Sequence, residues 1–186
     1  TASAALLSAI TGVDPAETCG PGSGLGKEGV VKKIEFVRQA LRQHRAVVQN
    51  AQENSRAALA ALGGLEIAAI VGAIHEAARR NIAILVDGFI VSVAALIAVR
   101  IVPAAAACLF LATRSAEPGH VHCVGALTDV MWGDGVPAYC ASRVTALEMG
   151  LRLGEGTGAV LAIPILQSAA ALCTTMISLQ EALEKR

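Results

Sequence analysis

Aromatic side chains are scarce: three Phe, one Tyr and one Trp among 186 residues. That excludes a stacking platform for single-stranded nucleic acid. Net charge is lacking too, because fifteen Lys and Arg balance fifteen Asp and Glu. With no large field to gather polyanions or an anionic bilayer surface, neither nucleic acid nor membrane is an expected partner. No two cysteines stand in C-x-x-C spacing. Cys19, Cys108, Cys123, Cys140 and Cys173 are odd in number and scattered, which argues for a reducing cytoplasm and thiols mostly buried as small apolar groups. An unbroken apolar run of about 20 residues, as a spanning helix requires, is missing as well. Arg100 and Pro103 interrupt Phe89–Ala112, and Pro164, Gln167, Ser168, Thr174 and Thr175 dilute Val160–Ile177. Both runs are expected as buried elements of a soluble core. No charged n-region precedes Thr1–Ile10, so no signal peptide is expected, and Thr1 reads as a cut, or a processed end, inside a larger protein.

Nucleotide-loop signatures fail on inspection. Cys19–Lys27 (CGPGSGLGK) is rich in glycine, but Pro21 stands where a P-loop needs its first Gly, Glu28 follows Lys27, and no strand precedes the cluster. A flexible loop is expected there. Tyr139-x-x-x-Arg143 is similar to the Tyr-x-x-x-Lys stretch of short-chain dehydrogenases, but Arg replaces a Lys whose pKa must be tunable. His120, His122 and Cys123 lie close together without a standard zinc spacing, so a polar loop is favoured over a metal site. No metal is expected. His44 and His75 fall on expected helices as surface or boundary residues.

Apolar residues make up 54% of the chain, enough for one domain over residues 1–186 with a real core. Helices are expected over Thr1–Thr11, closed by Gly12, and over Glu28–His44, with Val31, Ile34, Val37 and Leu41 on one face and Lys32, Arg38 and Arg42 away from it. Asn54 or Ser55 caps a short helix to Leu62, Gly63–Gly64 breaks it, and Leu65–Arg80 follows. Ile82–Val86 and Cys108–Thr113 are continuously apolar and of strand length, the mark of strands buried on both faces in a parallel sheet. Phe89–Ile101 is the crossover helix between them, stopped before Pro103. Gly119–Leu147 reads as irregular. Gly154–Ile177 runs into a long apolar helix, and Ser178–Glu184 into a short one.

The alternation of strand, polar turn and helix gives an α/β fold with an open parallel sheet and crossover helices. Ligands in such folds bind at the carboxyl ends of the strands, here Asp87–Gly88 and Arg114–Ser115. Ser115-Ala116-Glu117-Pro118-Gly119 offers a hydroxyl and free N–H groups to an anion such as phosphate, or is a simple turn with a Ser hydrogen bond. Arg152-Leu153-Gly154-Glu155-Gly156-Thr157-Gly158 is the most informative string. Its glycines let backbone pass close to a ligand while Glu155 presents a carboxylate at a helix N-terminus. Glu155 then serves either as a general base beside an apolar wall or as a helix-capping residue.

Several strings occur in one order: TASAALLSAITG (1–12), GPGSGL followed by Lys33, LGGLEI (62–67), VDGF (86–89), SAEPGH (115–120) and RLGEGTGA (152–159). Together they make the chain resemble the nicotinate-nucleotide:dimethylbenzimidazole phosphoribosyltransferase family. The resemblance implies transfer of ribose 5-phosphate from nicotinate mononucleotide to 5,6-dimethylbenzimidazole, giving α-ribazole 5′-phosphate and nicotinate. It implies Glu155 as catalytic base and Lys33, Gly88 and Ser115 as the phosphate-binding set. Asp87, Gly63 and Gly64 would lie close by, with Leu153 and Gly154 lining the nucleotide site. It also implies a Rossmann-like parallel sheet, a homodimer and no metal or redox cofactor. The family's N-terminal portion, which supplies part of the benzimidazole pocket, lies outside the match. Residues 121–147 do not match either and are taken as an atypical insertion or divergent segment. A catalytically incomplete, nucleotide-binding piece of the same family is the first alternative, and a short-chain-dehydrogenase-like oxidoreductase the second.

Overall fold

The structure is a computed structural model and describes residues 1–133, 144–177 and 179–184. Tyr139 and Arg143 lie outside the described residues. The elements run α1 (Ala2–Thr11), α2 (Pro15–Thr18), α3 (Lys27–Gln43), α4 (Arg45–Val48), α5 (Ser55–Leu62), α6 (Leu65–Arg79), β1 (Ile84–Val86), α7 (Phe89–Ile101), a 3₁₀ turn (Pro103–Cys108), β2 (Leu109–Leu111), β3 (Thr113–Ser115), α8 (Gly119–Trp132), β4 (Leu147–Leu151), α9 (Thr157–Thr175) and α10 (Leu179–Glu184).

Local rules account for most boundaries. Gly12, at φ 76°, closes α1 by donating its N–H to Ser8 O. Asp14 caps α2 through Ala16 N, with Pro15 at the first helical position. Asn54 caps α5 by accepting from Ala57 N. Arg38 on α3 pairs with Asp14 at 2.9 Å. Within α3, Val37 is fully buried and Ile34 and Leu41 are partly so. Val31 departs from the expected face and is exposed, as is Phe36.

The sheet is parallel, as expected, but its strands are not buried on both faces: Ile84 and Leu85 are half-buried and Phe110 is exposed. β1 pairs with β2 in the register Ile84–Leu109, Leu85–Phe110 and Val86–Leu111. The extended segment continues through Ala112, whose N–H donates to Val86 O at 2.8 Å, into β3. On its other side, Ala146 N donates to Leu111 O and Leu147 N to Ala112 O, both at 2.9 Å. β3 and β4 then pair parallel with an irregularity between Thr113 and Ser115. Residues 109–115 are therefore the central strand of three. β1 and β2 are joined through α7, the crossover expected from the sequence.

α7 explains its own all-round apolarity. Every residue from Val93 to Val99 is fully buried, because α6, α8, α1 and α5 pack around it. The strong apolar signal of Phe89–Ala112 is thus a core helix and its strand. The second long apolar run differs. α9 is long and apolar enough to cross a bilayer by length and composition, and only 11% of it is buried. Val160, Leu172 and Met176 are exposed, so the expectation of a buried core helix does not hold there. Among the described residues nothing packs on its outer face.

Residues 119–132 also depart from expectation. They are not irregular but form helix α8, with His120, Cys123, Val124, Leu127 and Thr128 buried at helical spacing. Gly133, at φ 74°, ends it. The histidines and glycines at its start diluted a pattern that packing then enforced. Gly119 is required by close approach: a Cβ there would lie 2.7 Å from Thr18 O and 2.8 Å from Phe89 Cζ. The thiols are less uniformly buried than expected, since Cys19 and Cys123 are buried but Cys173 is exposed.

This placement of the core makes a direct comparison possible. Leu96→Ala on α7 should cost about 3 kcal/mol in urea unfolding. Leu172→Ala on α9 should cost under about 0.5 kcal/mol, as surface substitutions usually do. Equal costs would contradict the burial contrast between the two helices.

Candidate active site

The tips of β1 and β3 lie side by side. Gly88, immediately after β1, caps α7, and a Cβ built on it would sit 3.7 Å from Ser115 Cβ and 3.8 Å from Ser115 Oγ. The backbone of Gly88, at a helix N-terminus, and the Ser115 side chain are therefore neighbours, a suitable pair for an anionic oxygen. Ser115 Oγ accepts from Glu117 N at 3.2 Å, so its own hydrogen stays available to donate. The Ser turn and the anion reading are thus compatible.

Asp87 is buried and faces the start of α9. Its two carboxylate oxygens accept from Gly156 N and Ala159 N, each at 3.2 Å, where the helix dipole also favours negative charge. Gly158 allows this approach, because a Cβ there would fall 2.6 Å from Asp87 Oδ1 and 2.8 Å from Thr113 Cβ. Just before that anchor, Gly154, Glu155 and Gly156 adopt φ of 77°, 57° and 78°. Three successive left-handed residues make a tight corner, and the central one is not glycine. That costs of the order of 1 kcal/mol and projects an exposed carboxylate from Glu155 at the sheet's ligand end.

Lys33 lies on the other flank. Its Nζ donates to Gly20 O at 2.9 Å, and Gly22 N donates to Glu117 Oε1 at 2.8 Å. The glycine-rich loop is therefore pinned to the strand tip rather than free, and a side chain at Gly20 would collide with Glu117 and Pro118. Glu66 opens α6 two residues after Gly64, the cap of that helix, and Gly63 closes α5. Gly63 and Gly64 lie at the α5–α6 junction and Lys33 on α3. Asp87, Gly88 and Ser115 lie at the strand tips, and Leu153 (exposed), Gly154 and Glu155 precede α9. A cleft of about 310 Å³ next to Ser115 is lined by Arg114, Glu117, Val121 and Glu148. Lys33 and Glu155 do not line it. A roomier apolar cavity of about 700 Å³ lies under β2 and α9, lined by Leu109, Trp132, Val144 and Ile165, away from these polar groups.

His120 is fully buried and bonded at both nitrogens: Ser115 N donates to Nδ1 at 3.0 Å, and Nε2 lies 3.0 Å from Ser92 Oγ. Its pKa is lowered to about 4 by burial first and the Arg114 charge second, against a smaller opposing pull from Asp87. His122 faces Glu17 at 3.5 Å instead, and Cys123 is buried with its thiol pushed up by desolvation. The three side chains weighed as metal ligands therefore have separate surroundings.

The family model for a phosphoribosyltransferase matches residues 1–183. The chain belongs to the nicotinate-nucleotide–dimethylbenzimidazole phosphoribosyltransferase family. A member from Pseudomonas fluorescens, named for that activity, is 43% identical over 182 residues, 98% of this chain and 47% of the relative. One from Pseudomonas aeruginosa is 41% identical over the same span. The crystal structure of CobT from Thermus thermophilus superimposes with a TM-score of 0.78 at 35% identity, over 97% of this chain and 48% of that one. The chain thus spans about half the length of the relatives it matches, their C-terminal half. Phosphoribosyltransferase membership leaves the oxidoreductase alternative without support.

Within this phosphoribosyltransferase fold, sequence reading missed Ser92 and the structural work of Glu117. The signal for Glu117 was present in SAEPGH but was absorbed as part of a turn. Ser92 gave none, because a lone serine in an apolar helix has no partner visible in sequence.

Two outcomes follow. Asp87→Ala should cost about 1–3 kcal/mol, by stranding two N–H groups, and speed amide exchange at Gly156 and Ala159; unchanged exchange there would rule out the anchor. For His120 the folded pKa lies below the unfolded 6.5. The unfolded chain therefore binds the proton first, and stability falls as pH drops from about 6.5 to about 4, by up to about 3 kcal/mol. Urea midpoints followed from pH 7 to 4 should decline more steeply for the wild type than for His120→Asn. Parallel slopes would contradict this.

Proposed function

We propose that the chain carries the phosphoribosyl-transfer site of its family. Nicotinate mononucleotide would place its phosphate at Gly88 and Ser115, with Lys33 adding positive charge from the glycine-loop side. Asp87 fixes the Glu155 corner, and Gly63, Gly64, Leu153 and Gly154 line the approach. Glu155 takes the proton from one nitrogen of the benzimidazole while the other attacks the anomeric carbon. The new N–C bond forms as the bond to the nicotinate nitrogen breaks, and the departing pyridinium takes up that electron pair. A general base at this step supplies about 10²–10⁴ in rate. The protein side of the reaction needs only positioning and proton removal, so no metal or redox cofactor is assigned.

The observation that carries this reading is the left-handed corner at Glu155, anchored through Asp87 beside the Gly88–Ser115 pair. A non-glycine residue held in that conformation between two glycines is retained for its carboxylate rather than for backbone ease. The exposure of Glu155 and of α9 supports a second reading, a chain that binds the nucleotide without turning it over. A homodimer, a cytoplasmic location and one domain over residues 1–186, with a divergent stretch at 121–147, complete the proposal.

The decisive assay mixes nicotinate mononucleotide and 5,6-dimethylbenzimidazole with the wild type and Glu155→Gln. Wild-type turnover with a loss of at least about 10²-fold in the variant is expected. Equal rates would remove Glu155 from catalysis. Calorimetric binding of the nucleotide with no product from the wild type would establish the binding-only reading.

A further inference from the structure

We infer that His120 is a positioning residue for the phosphate site, acting through Ser115 rather than touching the ligand. This rests on the Gly88–Ser115 reading of that site. Ser115 N–H points at His120 Nδ1, 3.0 Å away, so Nδ1 carries no proton. A neutral imidazole must then hold its hydrogen on Nε2, where Ser92 Oγ lies 3.0 Å off and accepts it. The ring is fully buried, and Arg114 and Asp87 are the charged groups that act on it.

Two consequences follow for the anion. The imidazole ties the tip of β3 to the first turn of α7, because Ser92 is one turn beyond Gly88 and donates its own N–H to Gly88 O at 3.0 Å. The spacing between Gly88 and Ser115, the two groups that converge on the phosphate, is thereby fixed by a side chain lying behind both. Second, His120 consumes the Ser115 N–H, and Glu117 N donates into Ser115 Oγ. Only the Ser115 hydroxyl hydrogen is left to face a ligand. The site thus offers a single aimed O–H donor beside the α7 N-terminus, an arrangement that selects an oxyanion over a neutral acceptor. No other described side chain supplies an acceptor to Ser115 N.

The test separates the two nitrogens. In His120→Asn the amide oxygen can take the place of Nδ1 and keep the acceptor for Ser115 N–H. In His120→Gln the side chain reaches Ser92 but leaves Ser115 N–H unpaired, and His120→Leu removes both bonds. Inorganic phosphate is titrated into each cooperatively folded variant and followed by the Ser115 amide shift. Wild type should bind, His120→Asn should stay within about threefold of it, and His120→Gln and His120→Leu should weaken by at least about tenfold. A purely structural histidine would lower thermal stability in all three without this split. Equal phosphate affinities across the folded variants, or no phosphate binding by the wild type, would overturn the inference. Nucleotide turnover is measured separately. Phosphate binding with the predicted split but no turnover defeats the transferase reading alone, whereas turnover without the split defeats the role of His120 alone.

Discussion

The fold's ligand end hangs on one buried carboxylate. Asp87 leaves the tip of β1 and receives two backbone N–H groups from the start of α9. A buried charge is tolerable only when its oxygens are satisfied, and a helix N-terminus does that with aligned dipoles as well as hydrogen bonds. That contact joins the start of α9 to the tip of β1. It sets where α9 begins, forces the chain to turn through Gly154, Glu155 and Gly156 in left-handed conformation, and so decides where the Glu155 carboxylate emerges. Gly158 is required by the same contact, since any side chain there would occupy the space of Asp87 and Thr113.

A second network completes the site from the opposite flank. Glu117 holds the glycine-rich loop through Gly22, Lys33 holds it through Gly20, and His120 fixes Ser115 against α7. The short motif at 115–120 therefore works as a joint: its serine faces the ligand end, its glutamate clamps a loop, its glycine permits close packing and its histidine braces the strand. These contacts lie at the carboxyl ends of parallel strands, where open α/β sheets bind ligands.

Much of this was legible in the sequence, for physical reasons. Ile84–Val86 and Leu109–Leu111 were visible as short apolar runs bounded by polar turns, although burial on both faces did not hold: Phe110 is exposed and Ile84 and Leu85 are only partly buried. Gly12, Asn54 and Gly63 marked helix ends because caps have local chemistry. What escaped was non-local. α8 was hidden because its buried face includes His120 and Thr128, whose burial depends on partners far along the chain. β4 was hidden because Leu147–Leu151 is short and mostly exposed, with Gly150 inside it. α9 was legible as a helix but misplaced as core, since composition reports apolarity and not what covers it. The relatives' chains are about twice as long. Glu155 was found by its glycines, but its anchor at Asp87 could not be read from a separation of nearly seventy residues.

The account's central claim is that an anionic sugar phosphate sits between Gly88 and Ser115, with Glu155 over its anomeric carbon. A crystal structure of the chain soaked with nicotinate mononucleotide tests this directly. Phosphate oxygens within hydrogen-bonding distance of Gly88 N and Ser115 Oγ, and the Glu155 carboxylate facing the ribose, are the predicted result. A nucleotide lodged in the apolar cavity beneath β2 and α9, with the two strand tips empty, would contradict it.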